Sequence, residues 1–193
     1  MRETGYHIVQ LLKESKKKLM SEGLIPKKKE VPPLTISEIP FEIPDNWCWE
    51  RLSNVSLIQE GPGIRKHQYT SEGIQFLTVT NILDGDLDMF KSVKYISLKE
   101  FAEKYKHFQI NKGDIVSSCS GATWGKTAIF NIDGTIILNT STLRLRFFED
   151  KSNNKYLYYL TKTDFFKNQL KVHQTGQQPN YGFYHYSLIG IIH

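Results

Sequence analysis

Residues 117–138 read SSCSGATWGKTAIFNIDGTIIL, and the fold class turns on whether Gly125-Lys126-Thr127 closes a phosphate-binding loop. Such a loop has the pattern G-x-x-x-x-G-K-[ST]; its backbone N–H groups wrap phosphates and it opens a helix. The position five residues before Gly125 is Ser120, and Gly121 stands one residue too close. After Thr127 come Ala128-Ile129-Phe130, then Asp133-Gly134, then Thr135-Ile136-Ile137-Leu138. β-Branched runs split by an Asp-Gly pair predict a hairpin where the loop needs a helix. Both spacing and context argue against a nucleotide site.

Outward from this stretch the chain reads as short strands divided by turns. The strands are Cys48–Leu52, Ile74–Thr80, Val93–Ile96, Asp114–Ser118, Thr127–Phe130, Thr135–Leu138 and Leu143–Phe148. Gly61-Pro62-Gly63 and Asp84-Gly85-Asp86 supply turns. Helices are predicted at Leu98–Tyr105 and Asn154–Val172, the second burying Tyr156, Tyr159, Leu160, Thr163, Phe166 and Leu170. The class is α+β: a mixed, mostly antiparallel sheet of short strands with two packed helices, spanning residues 47–193. An N-terminal helical arm, residues 1–23, and a Pro-rich linker, residues 24–46, precede it. Pro26, Pro32, Pro33, Pro40 and Pro44 exclude regular helix from the linker, and its Ile39–Pro44 segment is apolar enough to lie along a surface.

In the arm, Ile8, Leu11, Leu12, Ser15 and Leu19 share one face, and Gly23 is placed to end the helix, with Leu24 behind it for an apolar contact. A stripe of this length followed by an extended linker is badly placed to fold back fully. The expectation is pairing with another helix, giving a homodimer through residues 8–19; docking on its own domain is the alternative.

Composition narrows the functions. The net charge is +5, but residues 1–30 hold eight of the 25 Lys and Arg and only four of the 20 Asp and Glu. The body is close to neutral, so nucleic-acid binding there requires charges segregated to one face. Cys48 and Cys119 show no paired spacing, which suggests reduced, buried thiols and a cytoplasmic protein. The six His residues show no ligand spacing, so no metal or other cofactor is expected. No apolar run approaches the ~18 residues of a membrane span.

One ordered set of features carries a resemblance: Ile43-Pro44-Asp45-Asn46-Trp47, Arg51-Leu52, Tyr95-Ile96 and Lys112-Gly113-Asp114-Ile115-Val116. Then follow Ser120-Gly121 with Gly125-Lys126, the helix holding Tyr156 to Leu170, and the closing Gly176–Asn180 segment. In that order these resemble the target recognition domain of the specificity subunit of type I restriction–modification enzymes, over residues 40–192. The resemblance implies a non-catalytic domain that reads one half of a split sequence in double-stranded DNA. It implies modification (methyltransferase) and restriction subunits as partners. The Ser120–Lys126 hairpin is then a signature of the fold. A full subunit of that family carries two recognition domains and two helical regions, and this chain has one of each, so a fragment or a natural half-subunit is expected.

DNA reading asks for Lys, Arg and hydroxyls at phosphates, and for amides or guanidinium groups at base edges. The glycine-bounded loop Gly61–Thr70 displays Arg65, Lys66, His67, Gln68 and Tyr69. The segment Lys171–Asn180 holds Gln174, Gln177, Gln178 and Asn180. Arg144 and Arg146 alternate with leucines on one strand, so both point to one face, wet or DNA-facing. Lys126 is a candidate phosphate contact. A nuclease is the weaker alternative, because Pro44-Asp45 and Glu149-Asp150-Lys151 stand more than a hundred residues apart. An amino-methyltransferase lacks its [DNS]-P-P-[YFW] loop. A non-DNA protein- or carbohydrate-binding module is the remaining rival.

Overall fold

The computed structural model describes residues 4–27, 31–120, 124–149, 154–171 and 187–191. Helix α1 spans Gly5–Ser21, and the linker, carrying one 3-10 turn at Ile36–Glu38, leads to strand β1 at Cys48–Arg51. There follow α2 (Leu52–Val55), β2 (Ser56–Glu60), β3 (Ile74–Phe76), β4 (Tyr95–Ile96) and α3 (Leu98–Glu100), which widens into a π turn at Phe101–Tyr105. The remainder is β5 (Ile115–Ser118), β6 (Thr127–Ile129), β7 (Ile136–Ile137), β8 (Thr142–Phe147), α4 (Asn154–Lys162), α5 (Asp164–Lys171) and β9 (Leu188–Ile191). This is the α+β class expected, with all seven predicted strands represented.

Three sheets form: β2-β8-β5-β6, all antiparallel; β4-β3-β7; and the pair β1-β9. Strand alternation explains the layers. In the four-stranded sheet Leu143, Leu145, Phe147 and Ile115 face a core shared with α4 and α5, through Leu157, Phe166 and Leu170. The opposite face, through Val116 and Ala128, meets Leu77, Ile136 and Leu138 of the three-stranded segment. That smaller sheet turns Phe76, Ile96 and Ile137 outward beneath Ile64, Tyr69, Phe101 and Tyr105.

The Asp133-Gly134 turn corrects the hairpin reading of residues 127–138. Gly134 does adopt φ +95°, but β7 pairs in parallel with β3, Gln75 opposite Ile136, while β6 pairs with β5. The turn carries the chain from one sheet to the other, because Phe130 is buried between the layers with Ile132 packed beside it. The true hairpin is β5–β6.

The second predicted helix is two. The Thr163 hydroxyl accepts from Phe166 N–H at 3.2 Å and donates to the Leu160 carbonyl at 2.7 Å, capping a fresh start at Asp164. The break shifts the helical phase. Leu157, Thr161, Phe166 and Leu170 are buried, whereas Tyr159, expected inside, is 65% exposed.

α1 docks on its own domain. Val9 and Leu12 are buried in the main core, and Ile8 packs against it. Lys13 pairs with Glu50, and Lys16 Nζ donates to the Ser53 carbonyl at 2.9 Å. A Cβ on Gly5 would strike the Ile191 carbonyl and the Cys48 nitrogen, so only glycine lets the helix approach β1–β9 this closely. Gly23, φ +71°, ends the helix: its N–H bonds the Met20 carbonyl and Leu24 N–H bonds Leu19. Leu24 itself is exposed, and Ile25 takes the buried place.

The linker makes this docking possible by returning along the domain. Arg51 donates to the Pro32 carbonyl at 3.2 Å and pairs with Glu38 at 2.7 Å, and Phe41 rests edge-on against Trp49 at 5.0 Å. The bonds Thr35 and Arg51 give the Glu38 carboxylate hold its pKa at about 2. With Val9 and Leu12 consumed, the large apolar groups left exposed on α1 are Tyr6 and Leu11, so the free stripe that called for a second helix is absent.

Leu12→Ala should therefore cost about 2–5 kcal/mol of stability in denaturant titration, and Leu11→Ala well under ~1 kcal/mol. Equal effects would mean that α1 does not dock as described.

Candidate functional site

β2 and β5 end, and β6 and β8 begin, at the same end of the four-stranded sheet. Their connections therefore converge. Gly61 N–H bonds the Thr142 carbonyl at 2.9 Å, Thr140 Oγ1 donates to the Pro62 carbonyl at 3.2 Å, and Cys119 N–H bonds the Ser141 carbonyl at 2.8 Å. A Cβ on Gly61 would clash with the Asn139 backbone, which explains the glycine. β3 and β7 run parallel towards this same end. The residues after β3 reach it as well: Gly85 N–H bonds the Thr127 carbonyl at 2.9 Å. The Lys126 side chain is half-buried at the β5–β6 hairpin, whose Gly125 takes φ +79°. Lys167 and Leu170 line a small cleft with Trp124 and Gly125, so α5 ends beside the hairpin.

The loop Gly61–Thr70 leaves this end and crosses the outer face of the small sheet. Ile64 is 4% exposed and anchors it, while Arg65, Lys66 and His67 are exposed. Gln68 and Tyr69 play a different part. Gln68 Nε2 donates to Glu100 Oε1 and to the Tyr105 hydroxyl, both at 3.0 Å, and its Oε1 accepts from Arg65 N–H at 2.9 Å. The Tyr69 ring lies 5.2 Å from Phe76, with Lys94 Nζ 5.4 Å above it. These two side chains hold the loop that presents the other three.

Arg144 is a correction. Its side chain is 8% exposed and forms an ion pair with Asp114 at 3.1 Å. It donates to Gln59 Oε1 at 2.8 Å and to the carbonyls of Gln109 and His107. Burial depresses the guanidinium pKa and raises that of Asp114, each opposed by attraction to the other. Residues 107–109 cover Arg144, so alternation placed the two arginines on one face but left only Arg146 partly in solvent. Arg146 lies 3.9 Å from Asp114 and sits opposite Leu57, towards the far end of the sheet. The Arg144 guanidinium is not free to meet DNA here.

Gln174, Gln177, Gln178 and Asn180 lie outside the described residues. Lys167 escaped the sequence reading, although its i, i+4 spacing to Lys171 on one helix was visible in it. Cys48 and Cys119 are both buried and in the thiol form, and burial pushes the Cys48 thiol up to about 11. Among the described residues, no group of His, Cys, Asp and Glu could hold a metal. No described helix is long and apolar enough to cross a membrane.

Residues 44–189 match the model of the family described as type I restriction modification DNA specificity domain. The chain is 25% identical over 182 residues to the type I restriction enzyme EcoAI specificity subunit of Escherichia coli, covering 92% of this chain and 31% of that one. It is 28% identical over 158 residues to the MjaVIII specificity subunit of Methanocaldococcus jannaschii, covering 80% of this chain and 36% of the relative. It thus spans roughly a third of these relatives' length. The fold resembles the HsdS subunit from Thermoanaerobacter tengcongensis, with a TM-score of 0.56 at 16% identity over 96% of this chain and 41% of that one. It also resembles a chain from work on complex assembly and conformational transition of the type I R-M system, with a TM-score of 0.59 at 15% identity over 96% and 42%.

Arg144→Ala should lower unfolding stability by about 3–5 kcal/mol, since it strands a buried carboxylate, whereas Arg65→Ala should change it by less than ~0.5 kcal/mol. Comparable losses at the two positions would overturn their assignment to core and display.

Proposed function

The chain belongs to the type I restriction modification DNA specificity domain family, and we propose from that membership that residues 47–193 read one half of a split target in double-stranded DNA. The observation that carries this is the convergence of turns at one end of the four-stranded sheet. There Lys126 sits on the β5–β6 hairpin beside α5, which carries Lys167 and Lys171, and the loop that leaves this end displays the exposed Arg65, Lys66 and His67. Cationic side chains on these turns suit contacts with phosphates. α5 ends at Lys171, directly before the amide-rich residues 172–180. Gln174, Gln177, Gln178 and Asn180 supply the paired donor and acceptor geometry that matches adenine in the major groove.

In this reading the chain is not catalytic. It directs separate modification and restriction subunits of a cytoplasmic enzyme, as a part of the specificity component. The short turns suit such a role. Strands fix their bases to within a hydrogen bond, while the tips stay free to vary without disturbing the core.

The test is to map adenine methylation in the source genome with the gene intact and deleted; loss of one split motif is expected. In vitro, the double change Arg65→Ala, Lys66→Ala should weaken binding on every sequence and flatten the slope of log affinity against log salt by about 1.8. Gln177→Ala or Gln178→Ala should instead change base preference, by about 1–3 kcal/mol per lost contact. An unchanged methylation pattern after deletion would remove the proposal.

A further inference from the structure

Phe90 is 94% exposed, the most exposed large apolar side chain among the described residues. Its turn is nevertheless built with care. Asp88 Oδ1 accepts from the backbone N–H of Phe90 at 3.1 Å and of Lys91 at 3.2 Å. Asn81, wholly buried, donates its amide to the Asp88 carbonyl at 2.8 Å and to that of Lys91. Gln75 Nε2 donates to the Met89 carbonyl at 2.7 Å, and Ser92 closes the turn at φ +55°, rare outside glycine. Met89 is the turn's own anchor in the core, at 8% exposure. Phe90 therefore contributes nothing to folding that the structure shows, yet the backbone holds it outward at a defined point.

That point adjoins the convergent end. β3 runs towards it in parallel with β7, and Asn81, the clamp, follows β3 directly. Lys94 passes beside the end of β3, where Phe76 N–H bonds its carbonyl at 3.2 Å. Its ammonium sits over Tyr69 in the loop that displays Arg65 to His67. Lys91 is exposed on the turn itself. The nearby carboxylates are engaged: Asp84 pairs with Lys162, Asp86 accepts from Leu87 N–H, and Asp88 holds the turn. A single exposed aromatic followed closely by Lys91 and Lys94 is a poor protein-docking patch, which needs contiguous apolar area. It suits a polyanion with apolar surfaces between its charges.

We infer that Phe90 makes an apolar contact with the bases of bound DNA, by packing on or between them, while Lys91 and Lys94 hold the flanking phosphates. The inference rests on the reading of this chain as a DNA-specificity domain. The fixed turn favours it, because a backbone already held in place loses little freedom on binding.

The experiment measures affinity of the full chain, assembled with its modification subunits, for a labelled random-sequence duplex pool and for duplex carrying the mapped methylation motif, across a salt series. Phe90→Ala should weaken motif binding roughly ten-fold or more with the salt slope unchanged, and Phe90→Trp should retain it. Lys91→Ala and Lys94→Ala should each flatten the slope by about 0.9. The melting temperature of Phe90→Ala should equal that of the parent, which separates lost contact from lost fold. If the parent binds the motif and Phe90→Ala binds equally well, the contact is refuted and the DNA reading stands. If Phe90→Ala fails only to assemble with the modification subunits, the residue belongs to a protein interface and the inference is refuted. If the parent shows no salt-dependent binding to either duplex, the DNA reading itself falls.

Discussion

The guanidinium of Arg144 lies where the two larger sheets meet, and it touches nearly everything that fixes their relation. It reaches Gln59 on β2, Asp114 at the head of β5, and the carbonyls of His107 and Gln109 on the strap between the sheets. That strap is tied in turn to the smaller sheet: Leu138 N–H bonds the Phe108 carbonyl, and Gln109 bridges to Ile137. One fork of donors thus sets both the register of the larger sheet and the position of the smaller one. A lysine carries the charge but not the planar spread of donors. A buried pair of this kind adds little net stability compared with a well-packed apolar substitute, and its removal by halves is costly. Its effect is to permit one arrangement of the layers among several that hydrophobic burial alone would tolerate.

With the layers fixed, the position of the turns follows from strand direction. Antiparallel order brings the connections after β2 and β5 and before β8 to a single edge, and the parallel pair β3–β7 adds the residues that follow β3. No loop needs to be long. Each departs from a hydrogen-bonded strand end and is pinned again within a few residues, by Ile64 and Gln68 in one case and by Asn81 and Asp88 in another. Groups presented this way are held on a rigid base, which reduces the entropy lost on binding.

Much of the architecture was legible in the sequence because it is local. Alternating apolar runs located β5, β6 and β8, Gly23 marked the end of α1, and the missing glycine at position 120 disposed of a nucleotide site. What escaped was set by partners distant in the chain. β9 pairs with β1 across about 140 residues, and nothing in Leu188–Ile191 names that partner. The Asp133-Gly134 pair has the chemistry of a hairpin, but Phe130 and Ile132 find better burial between two sheets than a tight turn would allow. Arg144 and Arg146 alternate as a wet face should, and only the strap from residue 107 to 109 buries Arg144. The helical arm was read as free because its linker was read as extended; the linker is extended, and Arg51 and Trp49 bind it back to the domain.

If the domain binds DNA as proposed, the same pairings account for how a nearly neutral body addresses a polyanion. Asp114 is spent on Arg144, Glu38 on Arg51, Glu50 on Lys13, Asp84 on Lys162 and Asp133 on Lys112. These opposite charges cancel at short range, and most of them lie away from the exposed loop tips. Arg65, Lys66, Lys91, Lys126, Lys167 and Lys171 form no ion pair among the described residues, and they sit on the loops, hairpin and helix that leave or border the convergent end. A sum over the chain counts paired and unpaired charges alike and returns a value near zero for the body. The field felt by an approaching phosphate, screened over about 8–10 Å at physiological salt, counts only the local and unpaired ones. On the proposed reading, local unpaired cations, more than overall composition, attract the phosphate backbone to this domain.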